Sequence, residues 1–190
     1  MKLMHSEWQD RVKHWVRTLR DDFYEPLGEI RWEAFRTMDH LSPEEALQGH
    51  FTSAEPGFIW GKTWEYCWFK GSVILPKAAE GKRIVMNLDA GGESTVFVNG
   101  KAFGNYRAAW VDEPHQFIEV SGKEGDTYEI LMETYAGHFY PEAPTGGCAT
   151  GPVLPGAYTD PKKEGERCVL GTSTFGVWNE DAYQLFMDVD

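Results

Sequence analysis

The sequence predicts a mainly β protein: a jelly-roll sandwich with an N-terminal helix and a second short helix. Three observations lead there. Residues 64–104 hold three β-rich segments in succession, WEYCWFKGSVILP, GKRIVMNLDAGG and ESTVFVNGKAFG. The third turns at Asn99-Gly100, the pair favoured where both central residues of a tight hairpin need positive φ. Nowhere does the apolar pattern alternate between strand and helix as βαβ units would, so a parallel sheet is not expected.

Taken in order, the first 20 residues read as a helix. Ser6 and Gln9 have the spacing of a capping box. Trp8, Val12, Trp15, Val16 and Leu19 then recur at intervals of three and four, one apolar stripe. That stripe is expected to pack on the sandwich; the other reading is a contact with another domain or subunit. Residues 21–41 read as irregular, with Ile30, Trp32 and Phe35 as buried anchors. Ser42-Pro43-Glu44-Glu45 starts the second helix, with an N-cap, proline in the first turn and a capping glutamate. Gly49 ends it. Residues 50–62 read as a loop. The expected division is a helical lead-in over 1–50 packed on a sandwich over 51–190.

In the first sandwich strand Trp64, Tyr66 and Trp68 share one side, and Cys67, Phe69, Val73 and Leu75 the other. Bulky residues on both sides suit a strand covered on both faces. Pro76 closes it. The second segment puts Ile84, Met86 and Leu88 on one face, and the third turns Val96 and Val98 inward. Residues 117–120 and 128–135 continue the set, the latter with Tyr128, Ile130 and Met132 opposite Glu129, Leu131 and Glu133. Residues 136–166 form a glycine- and proline-rich loop, of a length usually functional, interfacial or partly disordered. Residues 168–170 suggest a short strand. Residues 182–189 suggest a last one, because Tyr183, Leu185, Met187 and Val189 alternate with Gln184, Phe186 and Asp188.

The net charge of −12 repels phosphates and anionic lipid, so neither nucleic acid nor membrane is an expected partner. No segment reaches the roughly 20 apolar residues of a membrane span, and the N-terminus is too polar for a secretion signal. Three widely spaced cysteines, Cys67, Cys148 and Cys168, make neither a disulfide framework nor a Cys-x-x-Cys site. The expected location is cytoplasmic.

No nucleophile elbow, phosphate loop or dinucleotide fingerprint is present. Glu129 and Glu133 share a strand face but stand about 13 Å apart by strand rise, too far for a paired acid and base. Glu180-Asp181 is the other carboxylate pair, and none of these makes a catalytic set. Two segments stand out. In one, a strand delivers His138 to a loop carrying Tyr140 and Glu142. In the other, Trp178, Asn179 and Asp181 gather polar groups around a large ring. A ring beside such groups suits a sugar site, with stacking on C–H groups. The same residues suit an interdomain contact, the favoured reading, where Trp and Tyr are preferred anchors, and plain loop structure is the third. All three readings stay open, and no residue is assigned to catalysis or to a metal.

Several of these segments together resemble a known family. Tyr24-Glu25-Pro26-Leu27, Ile30-Arg31-Trp32, TWEYCWFKGSVILP, LDAGGESTVFVNG, YAGH and STFGVWNEDAYQL are similar to the N-terminal part of bacterial family 38 glycoside hydrolases, the α-mannosidases. The resemblance implies a galactose-binding-like sandwich placed before a much larger catalytic domain. It implies hydrolysis of terminal α-mannosides by the whole enzyme, with a divalent metal, usually zinc, and an aspartate nucleophile in that catalytic domain. The Gly-His-x-His-x-Asp-type motif of the metal site is absent here, so no catalytic residue transfers to this sequence. The expected partners are the catalytic domain of the same chain and a glycan, with a homo-oligomer as a further expectation. A carbohydrate-binding or purely structural domain is the alternative.

Overall fold

The computed structural model describes residues 2–107, 116–119, 121–137 and 168–189, with side chains from residue 7 on except at 107, 116 and 117. The chain opens with helix α1 (Lys2–Leu19) and a 3-10 turn (Arg20–Asp22). Strands β1 (Tyr24–Glu29) and β2 (Trp32–Thr37) precede helix α2 (Pro43–Ala46). Then come β3 (Thr52–Ala54), β4 (Ile59–Trp60), β5 (Tyr66–Ile74), β6 (Ile84–Asn87), β7 (Glu93–Val98) and β8 (Lys101–Arg107). The rest comprises β9 (Gln116–Glu119), β10 (Thr127–Tyr135), β11 (Cys168–Val169), β12 (Thr174–Trp178) and helix α3 (Glu180–Val189).

These strands build the expected antiparallel sandwich. One sheet has the order β1-β12-β6-β9, the other β3-β2-β5-β10-β7-β8, and β11 pairs with β4 in a small third sheet. Strand alternation explains the core. Cys67, Phe69 and Val73 of β5, Ile130 and Met132 of β10, and Val96 of β7 face inward. They meet Ile84 and Met86 of β6 and Phe175 of β12 from the opposite sheet. The hairpin between β7 and β8 turns as its sequence predicts, with Asn99 at φ 49° and Gly100 at φ 74°. Gly91, at φ 75°, lies so close under Val169 that any Cβ would overlap that residue's backbone.

Two further layers close the molecule. On the outer side of the four-stranded sheet, Val16 and Leu19 of α1 pack with Phe23, Val85, Trp178, Ala182 and Phe186. On the outer side of the six-stranded sheet, Ala46 of α2 covers Trp68 and Leu131, with Phe35, Leu41, Phe51 and Phe97 around them. Among the described residues no helix is long and apolar enough to cross a membrane.

Four expectations change. Residues 182–189 are helical, not a strand. Asn179 accepts the Ala182 N–H at 3.2 Å, Glu180 and Asp181 occupy the first turn, and Ala182 and Phe186, four apart, share the buried face. The alternation of Tyr183, Leu185, Met187 and Val189 is incidental; Leu185, Met187 and Val189 are exposed. Residues 24–37 are strands rather than irregular chain, so both sheets draw on the segment expected to precede the sandwich. Residues 50–62, expected as a loop, hold the short strands β3 and β4. Helix α1 starts at Lys2, which puts Ser6 inside it rather than at its cap. The capping box at α2 forms as expected: the Ser42 side chain accepts the Glu45 N–H, and the Glu45 carboxylate accepts the Ser42 N–H.

Candidate functional site

Of the residues singled out in the sequence, His138, Tyr140 and Glu142 lie outside the described residues. Trp178, Asn179 and Asp181 sit together where β12 passes into α3. Their roles differ from one another. The Trp178 ring is 6% exposed, with the rings of Phe23 and Tyr183 centred 5.8 and 5.3 Å away. Its indole N–H donates to Glu180 Oε2 at 2.9 Å, and Arg83 donates to the same oxygen. These donors, with a further bond from Gln184 as the largest effect, hold the Glu180 carboxyl below its usual range. Trp178 is thus an anchor between sheet and helices, closed off from a sugar ring. Asn179 caps α3, and its own N–H donates to Phe23 O at 2.9 Å. Asp181 is exposed.

A different set of residues forms a cleft on the outer face of the six-stranded sheet. Strand register builds it. Tyr135 of β10 lies opposite Tyr66 of β5, Glu133 opposite Thr95 of β7, and Thr95 opposite Asn105 of β8. Residues at even spacing share a face, so these side chains emerge together. They line an open cleft of about 540 Å³, with His40 from the turn after β2 at its rim. The Tyr66 and Tyr135 rings lie 4.9 Å apart and 31° from parallel, and His40 continues the row 5.3 Å from Tyr66. Glu133 Oε1 stands 3.2 Å from His40 Nε2, yet this oxygen is buried and, among the described residues, accepts no hydrogen bond. Burial raises the Glu133 carboxyl above its usual range, and the His40 charge opposes that rise. Burial, then the Glu133 charge, raises the Tyr66 hydroxyl.

In the sequence Glu133 shares a strand face with Glu129, too far away for the two to act as a pair. The partners that matter come from neighbouring strands, which spacing along one strand does not reveal. Among the described residues no group of three His, Cys, Asp or Glu side chains converges as metal ligands.

The third feature is the groove between α1 and α3. Val16 and Leu19 of the predicted stripe are buried, but Trp8 is 62% exposed, and Val12 and Trp15 are exposed too. Trp8, Val12 and Val16, with Phe186 and Val189, edge an open groove rimmed by Lys13, Arg17 and Arg20. The stripe is therefore only half covered by its own domain.

The family model of the α-mannosidase jelly-roll domain matches residues 29–145. Alpha-mannosidase 2C1 of Mus musculus is 25% identical over 181 residues, 90% of this chain and 16% of that protein. The Homo sapiens protein of the same name is 26% identical, over 94% of this chain and 18% of its own length. The chain thus spans less than a fifth of the relatives it matches. Among solved structures, a β-glucuronidase from Ruminococcus gnavus superposes with a TM-score of 0.50 at 11% identity, over 83% of this chain and 29% of that one. At that identity the likeness concerns the fold. With more than half its length matched, the chain belongs to the family of α-mannosidase jelly-roll domains.

Proposed function

We propose that this chain is the non-catalytic N-terminal sandwich of a family 38 α-mannosidase, and that it packs on the catalytic domain through the α1–α3 groove. The observation that carries the reading is the half-covered stripe of α1, with Trp8, Val12 and Trp15 in solvent. Contiguous exposed apolar surface of this kind marks an interaction face. The relatives supply the partner's size, since the match covers only 16% and 18% of their lengths. On this reading the full-length enzyme hydrolyses terminal α-mannosides in the domain that this chain lacks. On the same reading the divalent metal implied by the resemblance belongs to that catalytic domain.

Hydrogen exchange tests the docking. Residues 7–19 of α1 are expected to exchange more slowly in the full-length enzyme than in the 190-residue chain. Equal exchange in the two would overturn it. The non-catalytic assignment predicts no turnover of an aryl α-mannoside by the 190-residue chain, with or without added zinc. Metal-dependent turnover by this chain alone would refute it.

A further inference from the structure

The cleft over β5, β10, β7 and β8 is separate from the α1–α3 groove, on the other outer surface of the sandwich. Its place follows from how α2 covers its sheet. Ala46, Leu41 and Phe51 close the half around Trp68 and Leu131. Among the described residues the half around Tyr66, Glu133 and Tyr135 stays open. Its walls stand on paired strands, which hold side chains more firmly than loops do.

The lining selects among ligands. Ser94, Thr95 and the tyrosine hydroxyls both donate and accept, the Asn105 amide does both with separate atoms, and the Glu93 and Glu133 carboxylates accept. A mixed set of this kind matches sugar hydroxyls, each of which is donor and acceptor at once. A cation would need acceptors alone. A phosphate or carboxylate would meet Glu133 and the acidic chain. The tilted Tyr66–Tyr135 pair adds an apolar wall for the C–H side of a pyranose. At about 540 Å³ the cleft falls within the usual range for small-ligand sites. Among the described residues no hydrogen bond reaches the buried Glu133 Oε1, although His40 Nε2 stands 3.2 Å away, and an acceptor left so is costly until a ligand supplies a donor.

We propose that this cleft is a saccharide-binding site that takes one neutral hexopyranose unit of a glycan, with Glu133 accepting a hydroxyl and the Tyr66–Tyr135 pair flanking the ring. The proposal goes beyond the docking reading and does not depend on it.

The test is a titration of the 15N-labelled 190-residue chain with methyl α-D-mannopyranoside, then with the gluco and galacto forms and with an α-linked mannobiose. Saturable shifts centred on residues 66, 95, 105, 133 and 135 are expected for at least one of them. Glu133→Gln is expected to weaken that binding about tenfold or more while the fold persists, since a neutral amide replaces a charged acceptor. Thr95→Val, a milder change, should weaken it without touching the carboxylate. Trp8→Glu should leave sugar binding intact, which separates this site from the docking face. Flat titrations with every sugar would overturn the proposal. So would binding indifferent to both Glu133→Gln and Thr95→Val, or a cleft that responds only to a lysine-bearing peptide and therefore serves as a cation pocket.

Discussion

Arg36 grips Glu65 with two nitrogens, Nε to Oε1 at 3.0 Å and a terminal nitrogen to Oε2 at 3.1 Å. The same Oε2 accepts the backbone N–H groups of Gly61 and Lys62, at 2.8 and 2.9 Å. One buried carboxylate thereby ties β2 to the turn that feeds β5. That turn holds Trp64 at φ 69°, a strained conformation for a bulky side chain, with its N–H on Gly137 O at 2.9 Å.

Breaking this bracket is expected to be costly. Arg36→Ala leaves a carboxylate that is 8% exposed without its cation, and about 3 kcal/mol of stability should be lost. Glu65→Ala orphans two backbone donors as well and should cost at least as much. Urea unfolding of both variants and of the double variant measures the coupling. A loss under about 0.5 kcal/mol for each single change would show that the bracket holds nothing together.

Trp60 and Trp68 are both fully buried, but they differ in one atom's fate. The Trp60 indole N–H donates to Ala90 O at 3.0 Å, whereas the Trp68 indole N–H has no partner among the described residues. Replacement by Phe removes the same bulk from both sites. At Trp60 it also strands a buried carbonyl, and at Trp68 it removes an unmet donor. Trp60→Phe should therefore be the more destabilising, by about 1–3 kcal/mol. Equal shifts in thermal unfolding would contradict the assigned bonding.

At the β12–α3 junction, Trp178→Ala empties the space between Phe23 and Tyr183 and should cost about 3–5 kcal/mol. Asn179→Ala removes only the cap of α3 and should cost about 1 kcal/mol. If Trp178→Ala left the melting temperature unchanged, the ring would be a surface residue after all, and its sugar-site reading would revive.

How much of this was legible in the sequence depends on where each signal lies. The β7–β8 hairpin is written locally, because Asn99-Gly100 meets a turn's demand within two residues. Strand β1 is hidden by its Pro26 and Gly28, yet it is an edge strand with an irregularity at that very place, where both residues are tolerated. The apolar residues of helix α3 satisfy two periods, that of a strand and that of a helix. The Asn179 cap and the acidic first turn were visible and decide for helix. The outer cleft was not legible, since its residues come from four strands whose pairing only the folded sheet fixes.

Glu133 makes the final prediction a matter of sign. Its folded pKa is raised, first by burial, with His40 pulling the other way. The folded state therefore holds this proton more tightly than the unfolded chain does. Above the folded pKa the ionised group costs stability, and as pH falls through that pKa the cost is relieved. Glu133→Gln removes the titration. The variant should melt at or above the wild-type temperature near pH 7, and its advantage should shrink as the pH falls to about 4, near the ordinary carboxylate range. Paired melting curves across that range check it. A variant that is less stable at neutral pH and gains relative to wild type on acidification would mean that the His40 contact outweighs burial. The carboxylate would then be a structural ion pair rather than an acceptor awaiting a donor.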